Sequence, residues 1–295
     1  MAKFIPRVKK LGTGEDEKLK LSYALSKEGR FDEALIELEA VVQTSPKSIY
    51  AYLALGNIYL LQRRYDEALI QFQTITKLDP LLYEGPLKTA TVHLRIGNFE
   101  QALEQFQVAL SLDNKAVSAY IGMGQLRMKQ GKFDEAINYF NQALQLDSQI
   151  IFGYVLAADV YKKQRKFASA IEAIKTALEI NPKFLLGHIR LGRIYLQQRN
   201  NVAAKKAFQI ATELNPSSVE AKVGLSEALI QSNELKLANQ IIQELPKLRE
   251  KFTIGKQLFD NGEEVSLSET INASSNLDIV LYFYSLEQQQ RYLSE

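Results

Sequence analysis

The side chains that ordinarily carry covalent or metal chemistry are scarce in this sequence. There is no cysteine, which excludes disulfides, thiolate metal sites and thiol nucleophiles. Two histidines, His93 and His188, stand in separate parts of the chain and do not suffice for a transition-metal site. No nucleophile is accompanied by a base, no glycine loop is built to cradle phosphate, and no carboxylates pair at a catalytic spacing. Gly122, Gly124 and Gly131 do not form a dinucleotide fingerprint, because no strand precedes them. The chain is therefore expected to be no enzyme and to need no cofactor or metal. The chemistry left to it is recognition through apolar surface, hydrogen bonds and paired charge.

The elements that present such groups are periodic. An alanine recurs at Ala34, Ala68, Ala102, Ala136, Ala170, Ala204 and Ala238, always 34 residues on, with no insertion or deletion across seven copies. Three residues earlier stands Phe31, Tyr65, Phe99, Phe133, Phe167 or Leu235, with Asn201 the exception. Four residues later come Leu38, Phe72, Phe106, Phe140, Ile174, Phe208 and Ile242. Spacings of three and four put these side chains on one helical stripe, closest to a neighbouring helix at the alanine. A small residue precedes each alanine by twelve: Ser22, Gly56, Ala90, Gly124, Ala158, Gly192 and Ser226. Each unit thus reads as helix, short turn, helix. Gly29, Gly97 and Gly131 fall at the turns, where positive φ closes a helix, and Pro46, Pro80, Pro182 and Pro216 fall at the joins between units.

These residues resemble the tetratricopeptide repeat, a 34-residue helix-turn-helix unit with a Leu-Gly, Tyr, Ala, Phe, Ala, Pro signature. Tyr52, Leu55, Gly56, Tyr59, Ala68, Phe72 and Pro80 make the fullest copy, which departs only at Ile75, where the second alanine is expected. The resemblance implies an all-α, right-handed superhelical solenoid of seven tandem units over residues 15–248. Before it, residues 1–14 read as a basic flexible tail, with Glu15, Asp16 and Glu17 opening the first helix. After it, residues 249–295 read as a capping helix and an acidic apolar tail segment, Pro246 having ended the repeat register.

Bulk composition narrows the setting. The net charge of +2 gives no general case for nucleic acid, and the apolar run Ile279 to Tyr284 is far too short to cross a bilayer. The N-terminal residues lack the apolar run of a secretory signal. A cytoplasmic protein with no integral membrane span is expected.

In the tetratricopeptide family a partner lies along the concave wall built from the first helices. The family's groove-facing positions then map onto Tyr50, Leu53, Asn57, Leu87, Lys88, Ile121, Gln125, Met128 and Lys129, and onto Phe152, Val155, Leu156, Asp159, Lys162, Leu186, Ile189, Arg190 and Arg193. The fifth position is apolar in all seven copies, from Leu19 to Val223, and some of those residues are expected to touch the next repeat instead. Phe152, Leu156, Leu186 and Ile189 are the expected apolar anchors, with Lys129, Lys162, Arg190 and Arg193 at the edges. The implied ligand is a protein segment, a peptide or amphipathic helix with acidic residues. A clamp for a C-terminal carboxylate, known in tetratricopeptide co-chaperones, is not supported: Asn57 fits, but Leu53, Lys88, Ser118 and Gly122 stand where Lys, Asn, Lys and Arg are needed.

Three polar residues interrupt the core stripes. His93 and Arg127 replace the late aromatic found as Tyr59, Tyr161 and Tyr195; a hydrogen-bonded histidine and an arginine with its head in water are expected. His188 is expected to pack. At the other end of the chain, residues from Gly262 onward carry six acids and one base, and Leu277 to Leu286 is apolar and aromatic. Leu277, Ile279, Leu281, Tyr282 and Phe283 are expected on a helix that contacts a groove or caps the array. Two alternatives to a scaffold that binds a foreign partner stay open: a self-associating module, with a homodimer through this C-terminal segment, and a regulatory subunit of an enzyme complex.

Overall fold

The computed structural model describes residues 13–241, residue 239 excepted. Thirteen α-helices and no strand occupy them: α1 (Thr13–Lys27), α2 (Phe31–Thr44), α3 (Ile49–Leu61), α4 (Tyr65–Leu78), α5 (Glu84–Ile96), α6 (Phe99–Leu112), α7 (Val117–Lys129), α8 (Phe133–Leu146), α9 (Ile151–Lys163), α10 (Phe167–Ile180), α11 (Leu185–Gln197), α12 (Asn201–Leu214) and α13 (Val219–Gln231). Residues 235–238 are again helical. The chain is an all-α helical-repeat solenoid, and odd- and even-numbered helices are the first and second helices of the repeats. Helix α1 opens at Thr13, two residues before the expected acids, of which Glu15 and Asp16 lie in its first turn. The expected cap and the C-terminal segment lie outside the described residues.

Two compact units divide the described chain, one ending at Leu146 and one beginning at Asp147. The first contains α1–α8 and the second α9–α13. Within each, the periodic alanines are fully buried, and four phenylalanines of the second helices, Phe72, Phe106, Phe140 and Phe208, are at most 1% exposed. Their rings occupy the space that glycines of the first helices leave open. A Cβ at Gly56 or Gly124 would collide with Phe72 or Phe140 of the same repeat. Phe208 lies against both Gly192 of its own repeat and Gly224 of the next, so one ring joins three helices. Each buried ring contributes about 1.5–3 kcal/mol of apolar transfer, and the absent side chain is what makes room for it.

The turn between the two helices of a repeat has one geometry throughout. Its left-handed residue is Gly29, Gly97 or Gly131 in three copies, but Arg63, Arg165, Arg199 or Asn233 in the other four, with φ between 57° and 61°. The following N–H then reaches a carbonyl five residues back, as Arg30 does to Leu25 at 2.9 Å and Lys166 to Tyr161 at 2.9 Å. This closure repeats at Arg64, Asn98, Lys132, Asn200 and Glu234. The join between repeats is shared by five of the six junctions, the exception being Ser45, whose hydroxyl donates to Glu15. Asp79, Asp113, Asp147, Asn181 and Asn215 each accept at Oδ1 from the N–H two residues on, at 2.9–3.1 Å. Asn114 and Ser148 therefore replace proline without altering the turn.

Candidate partner-binding surface

The expected groove residues divide into three groups. Tyr50 and Lys129 are exposed; Leu53, Asn57, Lys88, Gln125, Met128, Phe152, Asp159, Lys162, Leu186, Arg190 and Arg193 are partly exposed. Leu87, Ile121, Val155, Leu156 and Ile189 are buried. For the anchors this is a correction, since Leu156 and Ile189 keep only 1% and 2% of their surface. Four fifth-position residues, Leu87, Ile121, Val155 and Ile189, turn inward between helices: Val155 packs with Ile174 and Ile194, and Ile189 with Phe208 and Leu225. Leu156 lies one residue further round α9 and has no polar end to hold at the surface, unlike Lys88 and Arg190 at the same repeat position. Phe152 and Leu186 remain as accessible apolar residues of the second unit.

Charged side chains tie its first helices into one row. On α11, Arg190 Nη1 lies 2.9 Å from Asp159 Oδ1 of α9, while Lys162 Nζ approaches the same oxygen at 3.5 Å. Arg193 Nη2 reaches Glu220 Oε1 of α13 at 2.9 Å. Three cations thus share two carboxylates. The Lys162 amine is pulled below the usual lysine range, first by burial and then by the charges of Arg190 and Arg193, which Asp159 offsets in part. Arg190 Nε is buried with no hydrogen-bond partner. The row suits an approaching carboxylate better than another cation.

The first unit repeats this plan with a weaker pair. Lys88 Nζ on α5 donates to Asn57 Oδ1 on α3 at 3.3 Å, and burial lowers its pKa as well. Glu84, a groove acid by position, is only 7% exposed. Burial pushes its carboxyl up to about 7 despite a hydrogen bond from Tyr83, and Oε2 has no partner. With its carboxyl only about half protonated near pH 7, Glu84 offsets part of the charge of Lys88 and Arg95 on α5.

The three interrupting residues also find places. His188 Nε2 lies 2.8 Å from the carbonyl of Pro182, repeating the reach of Tyr52 to Pro46 and of Tyr120 to Asn114. Arg127 packs with its Nε buried 2.9 Å from Glu135, while Nη1 donates to Gln130 at 2.8 Å at the surface. His93 is not the hydrogen-bonded histidine expected: its Nδ1 is buried without a partner, and burial lowers its pKa, which favours the neutral ring. Leu277, Ile279, Leu281, Tyr282 and Phe283 lie outside the described residues. Among the described residues no group of three or more His, Asp or Glu is placed to hold a metal, and no helix is long and apolar enough to cross a membrane.

Comparison with known families agrees with the repeat geometry. Residues 16–190 match the family model for the C-terminal ARM domain of tetratricopeptide repeat protein 21, and residues 189–250 match a tetratricopeptide-repeat model. The chain belongs to the tetratricopeptide-repeat family. Solved tetratricopeptide structures share its fold. One is the Cut9–Hcn1 hetero-tetramer of APC/C, with 18% identity over 73% of this chain and 43% of that one, and a TM-score of 0.61. This chain therefore spans less than half of that protein. TTC0263 of Thermus thermophilus has 23% identity over 62% of this chain and 99% of its own, with a TM-score of 0.57. PilW, a type IV pilus biogenesis factor, has 19% identity over 73% of this chain and 100% of its own, with a TM-score of 0.61. At such identities the likeness is one of fold. No significant match is found among curated proteins. Tetratricopeptide arrays are protein-interaction scaffolds as a class, which makes the first-helix walls the surfaces of interest.

Proposed function

We propose that this tetratricopeptide protein is a non-catalytic scaffold or assembly factor that holds an apolar, partly acidic segment of a partner protein. The segment, a peptide or amphipathic helix, lies along α9, α11 and α13. One observation carries this reading: Phe152 and Leu186 stay partly exposed beside three cations that share two carboxylates. Apolar groups would supply the affinity as they are desolvated, and the cations would orient acidic neighbours and raise the on-rate. In the first unit, Tyr50, Leu53, Met128 and Lys129 would offer a contact of the same kind. A cytoplasmic site of action accords with a chain lacking cysteine.

The test is capture from native extract with a photo-crosslinking residue at Phe152, beside the variant Phe152→Asp/Leu186→Asp. A crosslinked protein whose affinity the double variant weakens by about thirtyfold or more, the equivalent of about 2 kcal/mol, supports the proposal. Equal affinity for both forms would move the binding surface elsewhere on the array.

A further inference from the structure

Helices α2 and α4 carry an apolar residue that the repeat does not require. At the position of Ile36 and Ile70, the later second helices have Glu104, Asn138, Glu172 and Lys206. The fold thus accepts a polar side chain there, yet the two isoleucines are 64% and 58% exposed. Packing does not account for them, and paired exposed aliphatic groups mark contact surfaces. Acids surround both. Helix α2 has four acids, Asp32, Glu33, Glu37 and Glu39, and no base, while Asp66 and Glu67 stand one turn before Ile70. Gln62, in the turn before α4, donates to Asp32 at 3.4 Å and sets the start of α4 beside that of α2. The face therefore shows two apolar knobs within a largely acidic field, in which Arg30 pairs with Glu33 and Arg64 with Glu67.

An apolar helix face with acidic neighbours is the ligand proposed above for the wall of the second unit. Within the described residues the charges match in the same sense: residues 13–146 carry fourteen bases and seventeen acids, a net of −3, whereas residues 147–241 carry thirteen bases and eight acids, a net of +5. We infer that the occupant of the wall is a second copy of this chain, its α2 and α4 face docked on α9 and α11 of its neighbour. The inference rests on the reading of that wall as a binding surface. The contact is heterologous, so each copy in a pair retains one unused half. Opposite charge makes it sensitive to salt.

The experiment is sedimentation of the full chain over a range of concentrations. Average mass should rise with concentration at low salt, and the self-association Kd should weaken at least about tenfold between about 50 and about 500 mM salt. Ile36→Lys/Ile70→Lys should remain monomeric, and so should Phe152→Asp/Leu186→Asp, with helicity unchanged by circular dichroism. Asp32→Lys/Glu37→Lys gives a second way to spoil the acidic face without touching the isoleucines. Mixing the acidic-face variant with the wall variant should restore a 1:1 dimer and nothing larger, because each supplies the half that the other lost. A wild type that stays monomeric throughout would overturn the inference, as would a dimer indifferent to the acidic-face variants or a mixture that stays monomeric. If the wild type is monomeric while the wall variant still loses its captured partner, only self-association fails. If the wall variant loses neither property, the binding wall fails with it.

Discussion

Arg190 Nη1 lies 2.9 Å from Asp159 Oδ1, and Lys88 Nζ lies 3.3 Å from Asn57 Oδ1; in both pairs the residues are 31 apart. The sixth position of one repeat therefore reaches the ninth of the repeat before it, and this reach links consecutive first helices. The side chains of Arg190 and Asp159 are 20% and 17% exposed, between the surface and buried cases of an ion pair. A double-mutant cycle of Asp159→Ala with Arg190→Ala should give a coupling of about 1 kcal/mol. Asp159→Asn, which copies the Asn57 arrangement, should cost less than Asp159→Ala. Urea unfolding of the four proteins measures both, and a coupling near zero would leave the pair without a structural role.

Glu84 should give the first unit a distinctive pH dependence. Its folded pKa of about 7 lies above the ordinary carboxyl value of 4.5, so the folded state holds the proton more tightly than the unfolded chain. Its stabilising effect is complete below pH ~4.5, falls as pH rises to ~7, and is constant above that. Glu84→Gln should remove this slope and raise stability at pH 8 by on the order of 1–2 kcal/mol. His93 acts in the opposite sense, since its lowered pKa makes acid destabilising below its ordinary range. Comparing the two proteins by thermal melts from pH 5 to pH 8 isolates the Glu84 contribution; parallel curves would contradict it.

Glycines in this chain do two different jobs, and substitution should separate them. A Cβ at Gly131 meets nothing within 4 Å, so Gly131→Ala should cost only the left-handed backbone penalty of about 1–2 kcal/mol. At Gly124 the backbone is ordinary, but the new methyl collides with the buried Phe140 ring. Gly124→Ala should therefore cost about 1–3 kcal/mol by overpacking and disturb the environment of the ring. Arg165→Gly should be neutral or stabilising by up to about 1 kcal/mol, because it relieves a positive φ of 60°. Chemical denaturation with near-ultraviolet circular dichroism distinguishes the two mechanisms.

Burial separates the adjacent groove residues Phe152 and Leu156. Leu156→Ala should lower stability by about 2–5 kcal/mol, as a deleted core side chain does. Phe152→Ser should change stability by less than about 1 kcal/mol while weakening partner binding. Unfolding curves of the two variants make the comparison, and equal destabilisation would mean that Phe152 is a core residue.

Much of this architecture is legible in the sequence because the repeat displays each packing rule seven times. The alanine register, the facing phenylalanines and the small residues between them all follow from steric fit, and fit is encoded in residue size. Less legible is what depends on backbone torsion without a diagnostic residue. Gly29, Gly97 and Gly131 announce left-handed turns, but Arg63, Arg165 and Arg199 adopt the same conformation because the hairpin around them imposes it. The groove is the least legible part. Position alone does not distinguish Phe152, which keeps part of its surface, from Leu156, which loses all but 1%. Glu84 likewise looks like a groove acid until its burial is known. Such differences depend on how neighbouring helices close over a site, which a pattern within one helix does not contain.

Binding of the crosslinked partner is the most direct test of the scaffold proposal. Its affinity should be measured against wild type, Phe152→Asp/Leu186→Asp and Lys162→Glu/Arg193→Glu, each first shown to keep wild-type helicity. The expected result is a loss of at least about thirtyfold for the apolar pair, and for the charged pair a loss that fades as salt rises. Unchanged affinity in both variants, with the fold intact, would contradict a partner-binding role for the α9, α11 and α13 wall.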